Sequence, residues 1–286
     1  MGTTNHETEP IMNKRTRLSL MIQYALGRAA VLFIAPLTFF ILKLAGYRIE
    51  DLREVRKTVA ESLEGRPGGW IICANHLTMI DSVFVAWAFM PLPRYVKDFR
   101  YMPWNLPERR NFQKNPFVAA LCYLNKCIPL QRGGDRDEMK RTMDVCARLL
   151  ENGSNLLIFP EGGRSRTGAV DQNNFSYGVG RLVQRCPSAR ALCIYLRGLG
   201  QKRYSNFPRF REHFVVEVSP FTPSVTEGGL RGQRETARRI VEHLAGMERK
   251  WFARVSALDH RGSASWVRSA GSRHVPPEGR KTAEAS

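Results

Sequence analysis

Two short apolar runs that each end in a cluster of polar residues constrain the fold of this chain more than any other feature. The first run, residues 70–74, follows two glycines and predicts a buried β-strand. Asn75, His76 and Asp81 come after it, and a further apolar run over residues 82–90 predicts a helix. In open α/β sheets, ligands bind at the carboxyl ends of strands. We therefore expect a functional site at the end of this strand.

His76 and Asp81 have the composition of a general base and the carboxylate that orients it. A neutral imidazole can take a proton from a hydroxyl near pH 7, and a carboxylate on the other ring nitrogen selects the tautomer and stabilises the imidazolium. On an unbroken helix, residues five apart lie about 140° apart, so the two side chains meet only if a turn separates them. In the alternative interpretation, Asp81 caps the following helix and His76 is a hydrogen-bonded buried histidine.

A second apolar run, residues 155–159, also leads into glycines and charges. One carboxylate, two glycines and two arginines follow it, namely Glu161, Gly162, Gly163, Arg164 and Arg166. Before this run, residues 135–151 carry one apolar stripe at helical spacing, which predicts a helix. A strand predicted over residues 127–130 precedes this helix, and the run 155–159 follows it. A strand, a helix and a strand in this order predict a parallel pair of strands joined by a right-handed crossover. The two polar clusters therefore indicate one shared site.

Together the two clusters resemble the motifs of a known family. The pattern Asn75-His76-x4-Asp81, followed by Phe159-Pro160-Glu161-Gly162-x-Arg164-Ser165, is similar to that of the glycerolipid acyltransferases of the lysophosphatidic acid acyltransferase type. The resemblance covers roughly residues 70–198. It implies transfer of a fatty acyl group from acyl-CoA or acyl-carrier protein to the free hydroxyl of a lysophospholipid, most simply 1-acyl-glycerol-3-phosphate, to give phosphatidic acid. It implies neither a metal nor a bound cofactor.

The resemblance also gives each site residue an expected role. His76 acts as the general base on the acceptor hydroxyl, and Asp81 orients His76. Backbone N–H groups near Gly162 and Gly163 are candidates for stabilising the tetrahedral oxyanion. Glu161 orients an arginine or the acceptor headgroup. Guanidinium groups bind the acceptor phosphate, and they belong to Arg132, Arg164 and Arg166.

The chain departs from the family pattern in two places. Gly163 stands where the family usually has a threonine, and Asn125 and Lys126 stand where a glycine usually precedes the strand that ends near Arg132. These departures leave the acceptor open, so that another lyso-lipid remains an alternative for the same chemistry. Arg132 could equally be a surface arginine at a strand end, and His76 could activate water in a hydrolase.

An excess of basic residues limits the choice of partners. The 44 Lys and Arg outnumber the 26 Asp and Glu, giving a net charge of +18. Such a chain attracts anionic lipid, CoA phosphates or an acidic carrier protein. The charge also fits a non-catalytic membrane- or nucleic-acid-binding protein, but the chain has no nucleic-acid-binding motif, so we do not expect a nucleic-acid partner. The six cysteines form no Cys-x-x-Cys pair, which indicates a reducing compartment without disulfides or a zinc site.

Four segments are expected along the chain. Residues 1–17 and 256–286 are predicted to be disordered, residues 18–46 to form membrane-associated helices, and residues 47–255 to form the acyltransferase domain. The uninterrupted apolar stretch 29–42 is shorter than the roughly 20 residues that a spanning helix needs. We therefore expect interfacial or re-entrant helices in preference to a tilted span or a buried core helix. The resemblance predicts the cytoplasmic face of a membrane, specifically the bacterial inner membrane.

The predicted fold class is α/β, with a mixed, largely parallel sheet flanked by helices. Further helices are predicted over residues 48–63, 117–124, 175–186 and 231–255. Further strands are predicted over residues 94–97, 127–130, 191–196 and 214–218.

Overall fold

A single mixed β-sheet forms the centre of the molecule. The computed structural model describes residues 12–260 except 67, 113, 132 and 226. The strands in this part of the chain are β1 (Arg48–Ile49), β2 (Trp70–Ala74), β3 (Trp104–Asn105), β4 (Leu156–Ile158), β5 (Arg190–Gly198) and β6 (His213–Phe221). Their order is β1-β6-β5-β2-β4-β3, and only the β5–β6 pair is antiparallel. The predicted mixed, largely parallel sheet is confirmed.

Helices cover both faces of this sheet. The long helices are α1 (Lys14–Leu44), α2 (Leu52–Ser62), α7 (Arg136–Glu151) and α9 (Gly229–His260). The shorter ones are α3 (Asp81–Phe89), α4 (Leu92–Lys97), α5 (Arg109–Phe112), α6 (Pro116–Leu124) and α8 (Gly178–Arg185), with a 3-10 helix at Phe99–Tyr101. The buried residues form two clusters, one with α7, α8 and α9 and the other with α1, α2 and α3.

Strand β2 supplies side chains to both clusters. Ile71 and Cys73 belong to the cluster with α7, α8 and α9, whereas Ile72 and Ala74 belong to the cluster with α1, α2 and α3. Successive side chains of a strand point to opposite faces, so a central strand that is covered on both sides must be apolar throughout. This explains why residues 70–74 form a continuous apolar run, all of it buried.

The carboxyl ends of β2, β4 and β5 lie along the same edge of the sheet. Cys73 is paired with Ile158 on one side and with Cys193 on the other. Asn75 then extends the ladder with its side chain, because Nδ2 donates to the Leu196 carbonyl at 2.9 Å and Oδ1 accepts from the Leu196 amide at 2.7 Å. The polar residues after β2 and β4 are thereby brought together, as the sequence predicts.

Three predicted elements differ in the structure. Residues 94–97 lie in helix α4 and not in a strand, because proline is well suited to the first turn of a helix and Pro93 lies there. Residues 127–130 make only isolated bridges, at Cys127 and Leu130. The helix predicted over residues 48–63 begins at Leu52, because Arg48 and Ile49 pair with β6 and Asp51 has a left-handed φ of 47°.

Helix α1 is one continuous helix and not the predicted set of interfacial or re-entrant helices. It is long and apolar enough to cross a membrane. Every third or fourth residue packs inwards, namely Gln23, Gly27, Val31, Ala35, Phe39 and Leu42. The remaining circumference exposes large apolar side chains, namely Leu18, Met21, Ile22, Leu26, Leu32, Phe33, Leu37, Phe40, Ile41 and Leu44. The helix therefore has one face in the protein core and an apolar face outside it.

Both ends of the described chain are more ordered than predicted. Helix α1 begins at Lys14, so residues 14–17 are helical where disorder was expected. Helix α9 continues to His260, so the disorder predicted from residue 256 is wrong up to that point. The remaining parts of those two predictions, residues 1–11 and 261–286, lie outside the described residues.

A buried lysine connects α1 to the rest of the fold. Lys126 is fully buried, and its Nζ donates to the Met102 carbonyl at 2.5 Å. The rings of Tyr24, Phe99 and Trp104 surround this Nζ at 5.0–5.2 Å from their centroids. Such contacts stabilise a desolvated cation, although burial lowers the pKa of Lys126 to about 7. The φ of Lys126 is +56°, a conformation for which glycine is usual. The contacts of the buried Nζ explain why a lysine stands where the family usually has a glycine.

The crossing of α8 and α9 leaves no room for a side chain at Gly180. A Cβ built there would lie 1.8 Å from the Gln233 carbonyl oxygen, whereas one at Gly246 in α9 would have no neighbour closer than 3.8 Å. We expect Gly180→Ala to lower the free energy of unfolding by about 1–3 kcal/mol through overpacking. The matched variant Gly246→Ala should raise it by about 0.4–1 kcal/mol. Chemical denaturation of both variants in detergent tests this, and equal effects would contradict the packing argument.

Candidate active site

His76 and Asp81 are in direct contact at the carboxyl edge of the sheet. The His76 Nδ1 lies 3.0 Å from Asp81 Oδ2, and the two side chains are 17% and 3% exposed. A carboxylate can only accept here, so Nδ1 carries the proton and the lone pair is on Nε2. The imidazole is therefore held in the tautomer that a general base needs, with a partly accessible ring.

The carboxylate of Asp81 also closes the turn that makes this contact possible. Its Oδ2 accepts from the backbone amides of Leu77 at 2.6 Å and Thr78 at 2.7 Å. Its Oδ1 accepts from the Thr78 hydroxyl in a short hydrogen bond. These bonds run back along the chain and not forward into α3, whose N-cap position is occupied by Ile80. Asp81 therefore orders the turn over residues 76–80, and the helix-capping interpretation does not describe it.

Glu161 connects the two sequence motifs through backbone amides. Its Oε1 accepts from the His76 amide at 2.9 Å, and its Oε2 accepts from the Asp171 amide at 3.0 Å. The carboxyl is buried, and this desolvation raises its pKa to about 7. The sequence-based role for Glu161, orienting an arginine or a headgroup, differs from these contacts, which position the backbone of His76.

Two further contacts fix the His76 ring and backbone. The Phe159 ring stacks on the imidazole with centroids 4.2 Å apart and an interplanar angle of 23°. The Ser165 amide donates to the His76 carbonyl at 2.9 Å. Both residues belong to the motif after β4, so this motif holds His76 from two sides. Neither contact is readable from the sequence, because each joins residues more than 80 positions apart.

A cleft of about 350 Å³ opens beside this pair. Phe159 and Glu161, which both contact His76, form part of its wall, as do Gly162 and Gly163. The rest is mainly apolar and includes Leu106, Leu130, Met139, Met143, Ile158 and Phe175. The sequence analysis named Glu161, Gly162 and Gly163 but none of these apolar wall residues as part of the site. One sequence feature could have indicated the α7 part of this wall: α7 leads directly into β4, so its residues lie close to the motif that follows β4.

The two glycines differ in what their backbone amides can do. The Gly162 amide donates to the Phe159 carbonyl at 3.0 Å, and its φ of +69° explains the need for glycine. The Gly163 amide has no hydrogen-bond partner among the residues that the structure describes. Of the two expected oxyanion donors, only the Gly163 amide is therefore free to bind a ligand in this conformation.

Two of the three arginines predicted to bind phosphate, Arg164 and Arg166, lie within the described residues. Arg164 donates to the Ser205 carbonyl at 3.1 Å and to the Asn206 Oδ1 at 2.8 Å. Arg166 is exposed on the surface. Arg132 lies outside the described residues. No group of three His, Cys, Asp or Glu side chains within the described chain is placed to hold a metal ion.

The buried Glu161 predicts a characteristic pH dependence of stability. The variant Glu161→Gln places an NH2 group against a backbone N–H, so we expect it to lower the free energy of unfolding by about 1–3 kcal/mol at pH 5. The folded wild type keeps the Glu161 proton up to about pH 7, whereas the unfolded chain releases it near 4.5. The wild type should therefore lose stability relative to the variant between about pH 5 and pH 7. Denaturant unfolding of both proteins across this range tests the trend, and an advantage that grows with pH would contradict it.

Comparison with known proteins agrees with the site. The family model described as Acyltransferase matches residues 48–196, which is just over half of the chain and contains both motifs. The chain is also 27% identical over 161 residues to an N-acylphosphatidylethanolamine synthase from Arabidopsis thaliana. That match covers 55% of this chain and 55% of the plant protein, so the chain spans about half the length of this relative. The family match, which contains both motifs, shows that the chain belongs to the glycerolipid acyltransferase family.

Proposed function

We propose that this acyltransferase moves a fatty acyl group from a thioester to the free hydroxyl of a lysophospholipid at a membrane surface. The observation that carries the proposal is the His76–Asp81 contact, which leaves Nε2 as the basic nitrogen of a ring stacked on Phe159, a residue of the cleft wall. The first acceptor to test is 1-acyl-glycerol-3-phosphate, whose acylation gives phosphatidic acid.

The proposed reaction needs no nucleophile from the protein. His76 Nε2 takes the proton of the acceptor hydroxyl while the hydroxyl oxygen attacks the thioester carbonyl carbon. The resulting oxyanion is stabilised by the Gly163 amide, which has no other partner in the described structure. Collapse of the intermediate breaks the carbon–sulfur bond, and the imidazolium returns its proton to the leaving thiolate. Asp81 stays ionised throughout and stabilises the imidazolium.

The acyl donor is proposed to be acyl-CoA or an acidic acyl-carrier protein. Both are strongly anionic, and the net charge of +18 favours their approach. The apolar cleft beside His76 is the proposed site of the acyl chain, because its walls are mainly methionine, leucine and aromatic side chains. Arg132 and Arg166 remain proposed ligands of the acceptor phosphate. Arg164 would first have to leave Ser205 and Asn206.

A second acceptor class is favoured by two observations. The relative from Arabidopsis thaliana is named an N-acylphosphatidylethanolamine synthase, which places the acyl group on an amine. Gly163 also replaces the family's usual threonine, next to the site where the acceptor would bind. The same base could take a proton from an ammonium headgroup before the amine attacks the thioester. The alternative reaction is therefore N-acylation of a phosphatidylethanolamine.

Helix α1 is the proposed membrane attachment. Its outer face exposes leucine, isoleucine and phenylalanine side chains along its whole length, which water does not solvate well. Lys14, Arg15 and Arg17 at its start and Lys43 at its end suit anionic headgroups. The proposed location is the cytoplasmic face of the membrane, where acyl thioesters are available, and the bacterial inner membrane is the specific membrane that we propose.

Removing the proposed base should abolish transfer to every acceptor. We expect His76→Ala to lower kcat by roughly 10²–10⁴-fold, the usual contribution of general base catalysis. The assay measures transfer of the labelled acyl group from palmitoyl-CoA to lysophosphatidic acid and, separately, to phosphatidylethanolamine. His243→Ala in α9, where the imidazole contacts Ser219, is the matched control and should keep wild-type activity. A folded His76→Ala protein with full activity would disprove the mechanism. If the wild type puts label only into the amide product, phosphatidylethanolamine replaces lysophosphatidic acid as the proposed acceptor.

Narrowing the cleft should change the preference for acyl chain length. A Cβ at Gly178 would lie 3.7 Å from Met143 Sδ and 3.9 Å from Ile158 Cδ1, so larger side chains at this position enter the cleft without a backbone clash. We expect Gly178→Leu to lower kcat/KM at least tenfold for long-chain donors and much less for short-chain donors. Gly246→Leu in α9 is the matched control. Equal losses for all chain lengths would remove the cleft from the acyl site.

A further inference from the structure

The connection between β5 and β6, residues 199–212, exposes two phenylalanine side chains. Phe207 and Phe210 are 61% and 71% exposed. Two exposed phenylalanines within four residues of one loop are costly in water unless a partner covers them. We call this segment the 199–212 loop.

Basic side chains surround these aromatic rings. Lys202, Arg203, Arg209 and Arg211 all lie in the 199–212 loop, and all four are exposed. The single acidic residue of the loop, Glu212, is buried and accepts from the Gly200 amide at 2.8 Å. A cleft of about 400 Å³ lies between the two arms of the loop, with Lys202, Arg203 and Arg209 in its wall. The loop therefore presents apolar groups together with an uncompensated positive charge.

One side of this loop contacts the end of helix α1. The Arg211 amide donates to the Ala45 carbonyl at 3.0 Å, and the Tyr47 hydroxyl donates to the Pro208 carbonyl at 3.4 Å. Leu44, which is the last residue of α1, is itself largely exposed. The part of the loop that carries Phe207 and Phe210 therefore lies against the end of α1.

The other side of the same loop contacts the catalytic turn. The Ser205 amide donates to the Leu77 carbonyl, and the Met79 amide donates to the Asn206 carbonyl, both at 3.1 Å. Arg164 adds its two hydrogen bonds to Ser205 and Asn206. The 199–212 loop is thus hydrogen-bonded directly to the segment that follows His76.

We propose that the 199–212 loop is a second membrane contact, which inserts Phe207 and Phe210 into a monolayer containing anionic lipids. Its four basic side chains pair with the lipid phosphates. The proposal rests on the membrane attachment of α1 in the proposed function, and it adds a second point that fixes the orientation of the protein. A contact at both places holds the mouth of the His76 site at the level of the lipid headgroups.

A lipid monolayer fits this surface better than an acidic protein partner. The aromatic residues are flanked by cations, and their loop contacts the end of a helix whose apolar face is itself proposed to lie in the membrane. Aromatic residues with adjacent basic residues are typical of interfacial anchors. An acidic carrier protein would use the same charges but would leave the two phenylalanines outside the hydrocarbon region, so the depth of these residues separates the two partners.

The test measures the depth of single positions in lipid vesicles. Cysteine replaces Phe33, Phe210 or Leu230, three residues that are each at least 71% exposed, in the full chain carrying Cys122→Ala, because the other five native cysteines are buried. Each protein carries a nitrobenzoxadiazole label and is mixed with phosphatidylcholine–phosphatidylglycerol vesicles that contain a nitroxide quencher in the acyl chain. Phe33 reports α1, Phe210 reports the loop, and Leu230 in α9 reports the face of the sheet opposite α1.

We expect strong quenching of the labels at positions 33 and 210, and none at position 230. Quenching at 210 no greater than at 230 overturns the loop proposal, and quenching at 33 alone leaves only the α1 attachment standing. Quenching at 210 without quenching at 33 keeps the loop contact and removes the α1 attachment. None of these readouts depends on acyl transfer, so the loop proposal and the proposed reaction can fail separately.

Charge reversal tests the anionic part of the proposal. The double variant Arg203→Glu/Arg209→Glu should weaken binding to vesicles with phosphatidylglycerol by roughly tenfold or more, because each basic residue near an anionic surface contributes about 1 kcal/mol. Binding to pure phosphatidylcholine vesicles should be unchanged. The matched control reverses Arg238, a surface arginine of α9. Equal weakening on both vesicle types would overturn the role of the loop cations.

Discussion

The Asp81 carboxylate is the group on which the arrangement of the site depends. It accepts from two backbone amides, one hydroxyl and the His76 imidazole, so a single side chain both folds a five-residue turn and sets the tautomer of the base. The turn and the chemistry are thus linked, because losing the carboxylate would release the backbone together with the ring.

Much of the sheet could be predicted from the sequence, because its central strands are buried on both faces. The runs that became β2, β4 and β5 are apolar throughout and are bounded by glycine, proline or charge. The predictions failed where the pattern was short. Residues 94–97 joined a proline-initiated helix, and residues 127–130 made isolated bridges at the sheet edge, where local preference competes with a few tertiary contacts.

Within the site, spacing predicted which residues would meet but not how they would bond. His76 and Asp81 come together because a turn follows a strand, and this much can be inferred from a motif. Glu161 was expected beside a headgroup or an arginine, yet it accepts from two amides far apart in the chain. Arg164 was expected beside a phosphate, yet it contacts the 199–212 loop. These partners depend on long-range packing, which local sequence patterns do not encode.

The buried Lys126 gives helix α1 a structural role besides the membrane attachment proposed for it. Tyr24 of this helix supplies one of the three rings around the ammonium, and Gln23 caps the Tyr123 and Cys127 carbonyls next to it. A shortened protein without α1 would open this ring cluster to water and leave two carbonyls unpaired beside a lysine in a left-handed conformation. Helix α1 is therefore part of the folding unit itself, and it could not be exchanged for an unrelated apolar helix without rebuilding the interior against which it packs.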